Sequence, residues 1–493
     1  MSTLVALPIL IPLITAAVML LTRNLIVQRC LSFVALSLSL TIAVVLLVDV
    51  WGSGNIVVAR LGGWPGSFAI TLVADRLASV LVVVAMAVTL VVLLFALGQQ
   101  AADEHSSYYH PVYMALTAGI AQAFLAGDLF NLFVAFEILL MASYVLLTLE
   151  GTSEQIRSGT TYVVLNVIES LVLVTAVGLI FAATGTVNFA ELPERLAELP
   201  DGVRTGLHLL LLVAFGIKAA VFPLFFWLPD SYPTAPSSAS AVFAGLLTKV
   251  GVYCLIRVQT LLFPGELSDL VMIVGIATMA IGVIGAISQQ DMKRILSFHI
   301  ISQIGYMVFG LGIGGAAAIA ATVFYLIHHI PVKTSLFLVE GIIERDSGTS
   351  SLDRISGLAR RSPMLAVLFL LPALSLAGFP PLSGFLAKFA VVRAGFDSQQ
   401  YVGVGVALVV SMLTLVSMAK IWVGAFWGEA EPARPAGDVG ILRHQRSMAA
   451  ATMLLVAMTV AIAAAAGPLY EFATQAAIQM LDVATYVSAV RGS

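Results

Sequence analysis

Five of the six lysines in this chain, Lys218, Lys249, Lys333, Lys388 and Lys420, stand inside long apolar stretches, and only Lys293 reads as a loop residue. A lysine at the centre of a membrane helix costs about 2.5–3.5 kcal/mol, so five of them oppose insertion by roughly 10 kcal/mol or more, even after snorkelling. Charges kept at that cost point to use. Glu137 lies midway along the apolar run 128–144, and Lys218 is its natural partner by depth. Burial penalises both charged forms. Held together, the two stay charged; drawn apart, the lysine gives up its proton. Lys249 sits at mid-span in the run 246–252, while His329 and Lys333 are one turn apart on one helix face. Pro331 between them is placed to open the backbone. Histidine titrates near neutrality and bridges proton donors and acceptors. Lys249, His329, Lys333 and Lys388 fall at similar depth. Glu169 and Asn166 share a face and are placed to feed the Glu137 region. His328 and His299 are further candidates, His299 the weaker of the two, and His328 or His329 taken alone also reads as a histidine that only hydrogen-bonds a neighbouring helix. Lys420, nearer a helix end, snorkels.

These residue types in apolar runs point to proton exchange rather than covalent catalysis. No nucleophile elbow, P-loop, dinucleotide fingerprint or haem motif is present. The two cysteines, Cys30 and Cys254, occupy separate apolar segments, too few for an iron–sulfur cluster or a zinc site. Both are expected to be small buried hydrophobes. No cofactor and no metal site is expected, and without a basic face or run nucleic-acid binding has no support.

The elements that must position these groups follow from composition. Hydrophobic residues make up 60% of the chain and charged ones 10%, against about 25% charged in soluble domains. About 20 apolar residues cross a bilayer as a helix, and helices are required because lipid offers the backbone no hydrogen-bond partner. That rule predicts an all-α polytopic membrane protein, a single membrane domain over 1–493 with fourteen spans. They lie near 4–21, 30–50, 76–98, 108–126, 129–149, 157–183, 205–229, 235–260, 268–288, 294–313, 316–341, 363–392, 402–427 and 447–466. The first basic residue, Arg23, follows the first apolar run, so this run reads as a retained span rather than a cleaved signal. Residues 56–74 read as an extramembrane hairpin. Residues 188–201 and 468–490 read as interfacial helices.

Lys and Arg collect on one side twelve to six, Lys293, Arg434 and Arg443 counting with the larger set and Arg257 with the smaller. The larger set belongs in the cytoplasm, which places both termini outside. Prolines interrupt two apolar spans, at Pro223 and Pro229 after Lys218, and at Pro380 and Pro381 before Lys388. The two broken spans are five apart. This matches two inverted five-helix repeats, 108–260 and 268–427, and paired broken helices in corresponding halves point to a transport site.

The stretches Phe136–Tyr144, Lys218–Pro236 and Ser297–Tyr306 resemble the antiporter-like subunits shared by respiratory complex I, membrane-bound hydrogenases and Mrp-type cation/proton antiporters, and most closely the D-type subunits of the last group. The resemblance covers nearly the whole chain. His299 stands where complex I relatives usually carry a small hydroxyl residue, which favours the Mrp branch. The resemblance implies a subunit of a hetero-oligomeric antiporter in the cell membrane, in contact with lipid, working without cofactor and driven by the proton gradient, with protons and Na+ as the transported ions. It implies that Glu137 and Lys218 form the family's glutamate–lysine pair and that Lys249 is its bridging lysine. His329 and Lys333 would be the next relay pair, Lys388 the terminal group, and Glu169 an acidic position found in some relatives. No oxygen-rich Na+ cage is visible in the sequence, which leaves the sodium limb to a partner subunit. A proton-pumping subunit of a redox complex is the alternative.

Overall fold

The computed structural model describes residues 2–62, 70–99, 108–428 and 445–492. Arg434, Arg443 and the tip of the expected hairpin, 63–69, lie outside these residues. Helices dominate. In chain order the long ones are α1 (Ser2–Leu20), α2 (Leu25–Ser53), α3 (Arg76–Gln99), α4 (Tyr109–Leu125), α5 (Leu129–Leu147) and α6 (Ser153–Thr184). After the short α7 (Leu192–Ala197) come α8 (Asp201–Ala219), α9 (Ser237–Leu262), α10 (Ser268–Ser288), α11 (Met292–Ile313) and α12 (Gly315–Ser347). The chain ends with α13 (Pro363–Ala377), α14 (Ser383–Asp397), α15 (Tyr401–Phe426), α16 (Arg446–Ala464), α17 (Ala466–Leu481) and α18 (Val483–Arg491).

Twelve of the described helices are long and apolar enough to cross a membrane. The two expected spans outside that set are α4, with 17 residues, and the broken span that α13 and α14 share, 15 residues each. The bundle has a buried centre. The span of α9 is wholly buried and those of α11 and α12 nearly so, whereas α2 and α6 bury about a third of theirs. The helices with the most concealed surface are therefore those that carry Lys249, His299, His328, His329 and Lys333.

Local signals set the helix ends. Asn24, Asp128, Thr152 and Asp291 accept backbone N–H bonds at the starts of α2, α5, α6 and α11, satisfying donors that no helical carbonyl can reach. The hairpin forms as expected from antiparallel β1 (Val57–Leu61) and β2 (Ile70–Ala74). Its second strand is pinned to the start of α5: Gly127 N–H donates to Thr71 O at 2.8 Å, and Asp128 accepts from the Thr71 N–H at 3.3 Å.

Several expectations change. The span expected over 205–229 is helical only to Ala219, and the helical part of 188–201 is just the six residues of α7 before α8 begins at Asp201. Helix α12 runs unbroken through Pro331, because a proline removes one ladder bond without ending a helix held on all sides. The 468–490 segment is two helices meeting at Asp482. It packs on the bundle through Trp51 stacked on Phe472 at 4.7 Å and Phe324 against Tyr470. Arg491 pairs with Glu194 at 2.8 Å, and this guanidinium holds the Glu194 carboxyl below its usual range. Cys30 faces outward, so only Cys254 is the buried hydrophobe expected of both. Lys293 is no loop residue: it lies in the first turn of α11, buried, 2.7 Å from Glu344.

Candidate functional site

At the α5–α6–α8 end, Asp128 fixes the first turn of α5 by accepting the Asn131 N–H at 2.6 Å. Glu137 follows more than two turns on, half-buried, and accepts a hydrogen bond from Ser170 on α6. The preceding residue on α6, Glu169, is fully buried, with neither carboxylate oxygen hydrogen-bonded. Lys218 in the last turn of α8 is likewise buried and makes no hydrogen bond; its ammonium lies 5.5 Å from the Phe136 ring centre. This ammonium feels two carboxylates, Glu169 more strongly than Glu137. Equal depth does not make Glu137 and Lys218 a contact pair. Ser170 holds Glu137, and Glu169 acts the more strongly on the lysine.

Immediately after Lys218 the helix stops. Ala220 takes a left-handed conformation, φ 57°, and residues 221–227 continue as turns that contain Pro223. The freed backbone finds partners: Phe222 N–H donates to Thr278 Oγ1 at 2.9 Å, and the Trp227 indole donates to Ile217 O at 3.1 Å. Gly251 lets α9 approach, since a Cβ there would lie 2.5 Å from Ala219 N.

On α9, Lys249 follows a π-helical segment, Phe243–Leu247, and folds back so that Nζ donates to Ala244 O at 2.5 Å and Thr248 Oγ1 at 3.3 Å. Across from it on α12, His329 and Lys333 are fully buried, and neither His329 nitrogen nor the Lys333 ammonium has a hydrogen-bond partner. Lys249, Lys333 and Lys388 all act electrostatically on His329. His299 on α11 is buried as well; Nε2 bonds Ser417 Oγ at 2.9 Å and Nδ1 is unpartnered. Lys333 and Lys388 both act on it.

The second break spans 378–382, where Gly378 at φ 88° ends α13. Lys388, in α14, reaches back over the gap and donates to Ala377 O and Ser411 Oγ, both at 3.2 Å, with its ammonium 5.1 Å from the Tyr306 ring centre. Ala377 O belongs to the carbonyl end of α13, the negative end of the helix dipole, which favours a cation. The broken helix thus builds the lysine's seat. His328 bonds Ser383 at the start of α14 at 2.8 Å, and Ser383 bonds Ser375 at 3.1 Å. His328 therefore ties the two half-helices to α12. Lys420 caps α10, donating to Ile287 O at 2.9 Å and Gln289 O at 2.6 Å, so it closes a helix end rather than snorkelling.

The groups at issue thus fall into an ordered set: Glu137, Glu169 and Lys218 at one break, Lys249, His329, Lys333 and His299 in the buried centre, and Lys388 at the other break. Sequence reasoning misses Glu340, fully buried on α12, because its neighbour Lys293 looks like a loop residue. It also counts Arg257 among the loop charges, whereas this guanidinium is buried in α9 and bonded to Asp75 at 2.6 Å. Acidic residues spaced at helical intervals from Lys333 would have flagged Glu340. Among the described residues no cluster of three or more His, Cys, Asp or Glu side chains is placed to hold a metal.

The NADH:quinone oxidoreductase/Mrp antiporter transmembrane family matches residues 126–414, which hold the whole ordered set from Glu137 to Lys388. The chain is 44% identical to the D-type Na(+)/H(+) antiporter subunit of Alkalihalophilus pseudofirmus, over 99% of each chain. Against the D-type Na(+)/H(+) antiporter subunit of Bacillus subtilis the identity is 39%, over 87% of this chain and 88% of that one. A chain in the structure of the Mrp complex from Dietzia sp. DQ12-45-1b superposes with a TM-score of 0.93 at 33% identity over the whole of both chains. A chain of a membrane-bound sulfane sulfur reductase, an archaeal respiratory membrane complex, shares the fold at a TM-score of 0.88 and 24% identity. With broken helices and buried lysines in the matched region, the chain belongs to the NADH:quinone oxidoreductase/Mrp antiporter family, among the D-type subunits of Na(+)/H(+) antiporters.

Proposed function

We propose that this chain is the proton-translocating subunit of a multi-subunit Na+/H+ antiporter in the cell membrane, moving protons along Glu137, Glu169, Lys218, Lys249, His329, Lys333 and Lys388 under the proton gradient. His299 and His328 flank this path. The observation that carries the reading is the central trio Lys249, His329 and Lys333, buried in the bundle with two members wholly without hydrogen bonds. Groups so placed gain nothing structural from their polarity, yet each holds or releases a proton as its neighbours change charge. The repeats 108–260 and 268–427 are read as inverted about this centre, each contributing one broken helix, and both termini face outward. Sodium passes through a partner subunit, since the path offers no ring of oxygen ligands.

The test is antiport by the assembled complex in everted vesicles, read as dissipation of a proton gradient on addition of Na+. Lys249→Ala and Lys388→Ala should each abolish exchange while complex assembly is retained. Exchange at the wild-type rate in either variant takes that residue off the path. Copurification with redox subunits in place of small antiporter subunits would favour the redox alternative.

A further inference from the structure

A polar cavity of about 520 Å³ lies where the 150–155, 230–237, 291–294 and 344–350 segments meet. Glu150, Asp230, Asp291, Lys293, Glu344 and Ser350 are among the residues that line it. Among them, Ser350 donates through its hydroxyl at 2.5 Å to Oε1 of Glu340. Glu340 itself is fully buried, and its Oε2 has no partner. Three charged groups face it: Lys293 and Asp291 from the start of α11, and Glu344 one turn along its own helix. Lys293 spends its hydrogen bonds on Glu344, at 2.7 and 2.8 Å, and none on Glu340. Glu340 also stands seven residues from Lys333 on α12, which places it on the same face about 10 Å along the axis. One hydroxyl therefore separates a polar cavity from a buried carboxylate on the helix face of the central trio.

We propose that Glu340 is the carboxylate through which protons pass between this cavity and the buried path, with Ser350, in the cavity lining, as the relay. This rests on the proton-translocation reading above. A proton arriving from cavity water bonds to Ser350 Oγ as that hydroxyl gives its own proton to Glu340 Oε1. Serine ends as the neutral hydroxyl it was, and Glu340 becomes a neutral acid. Passage onward to a neutral Lys333 amine, with water carrying the proton over the intervening distance, returns Glu340 to a carboxylate and leaves Lys333 an ammonium.

The rival role for Glu340 is a charge lock between α11 and α12, and the experiment separates the two. Glu340→Gln, Ser350→Ala and the charge-balanced double variant Glu340→Gln with Lys293→Gln are compared in the assembled complex by the vesicle antiport assay. Glu340→Gln should slow exchange by about 100-fold or more, the usual worth of a positioned proton-transfer group. The double variant should stay as slow, and Ser350→Ala should slow exchange with assembly unchanged. Recovery of exchange in the double variant, or wild-type exchange in Ser350→Ala, overturns the proposal. Should Glu340→Gln fail to assemble, Ser350→Ala decides alone by the same criterion. Lys249→Ala is the control: if it is inactive while Glu340→Gln and Ser350→Ala run at the wild-type rate, this inference falls and the central path stands. If Lys249→Ala also exchanges normally, the wider reading has failed.

Discussion

Glu169 and Glu137 share one neighbour, Lys218, on unequal terms. The first is fully buried and has no hydrogen bond; the second is half-buried and held by Ser170. Neutralising Glu169 therefore removes more of the charge that sustains the Lys218 ammonium. Glu169→Gln is expected to cut antiport by about 100-fold or more, as for a positioned proton-transfer group, with Glu137→Gln milder. Lys218→Arg should be nearly inactive despite its charge, because arginine does not release a proton in the working range. Antiport measured against pH for the three variants checks this, and full activity in Lys218→Arg would end any role for proton release there. The lysines were legible because a charge in an apolar run stands out in any window. Which carboxylate serves which lysine was not, since depth along a helix is blind to rotation about its axis. Glu340 was hidden for another reason: its neighbour Lys293, buried in α11, reads as a loop residue in the sequence.

At the level of elements, the prolines announced both helix breaks, but not where each helix would end. Helix α8 stops at Ala220 because Thr278, distant in sequence, and the Trp227 indole accept and supply the hydrogen bonds that the open turns need. A π-helical segment such as Phe243–Leu247 has no composition of its own, so the register change ahead of Lys249 was invisible. At the second break the geometry is tight: a Cβ on Gly384 would fall 1.7 Å from Ser375 O. Gly384→Ala must therefore push α14 off α13, at about 1–3 kcal/mol or more for overpacking. The expected outcome is a complex with lower yield and a lower melting temperature. A variant complex with unchanged melting would mean that the half-helices slide freely past each other.

Over the whole molecule, Asp75 and Arg257 join the segment before α3 to the inner part of α9, and the guanidinium also lies 5.9 Å from the Tyr486 ring centre on α18. Removing one partner of a buried ion pair costs about 3–5 kcal/mol, so Asp75→Asn should impair assembly, read as loss of the chain from the purified complex. Asp75→Asn together with Arg257→Met should recover part of it, and no recovery would assign the defect to packing instead. The same pair bears on orientation. Counting Arg257 and Lys293 as loop charges was mistaken, yet setting both aside leaves eleven against five where twelve stood against six, and the bias survives. The break beside Lys388 has a consequence of another kind. The ammonium that rests on the Ala377 carbonyl joins α14 to the end of α13, so the carrier is also a clasp. A proton that leaves Lys388 takes the clasp's charge with it and slackens the seam between the two half-helices. Charge state and the fit of the seam are thereby linked at the Ala377 carbonyl, beside the Ser375–Ser383 bond that holds the same two half-helices whatever the charge.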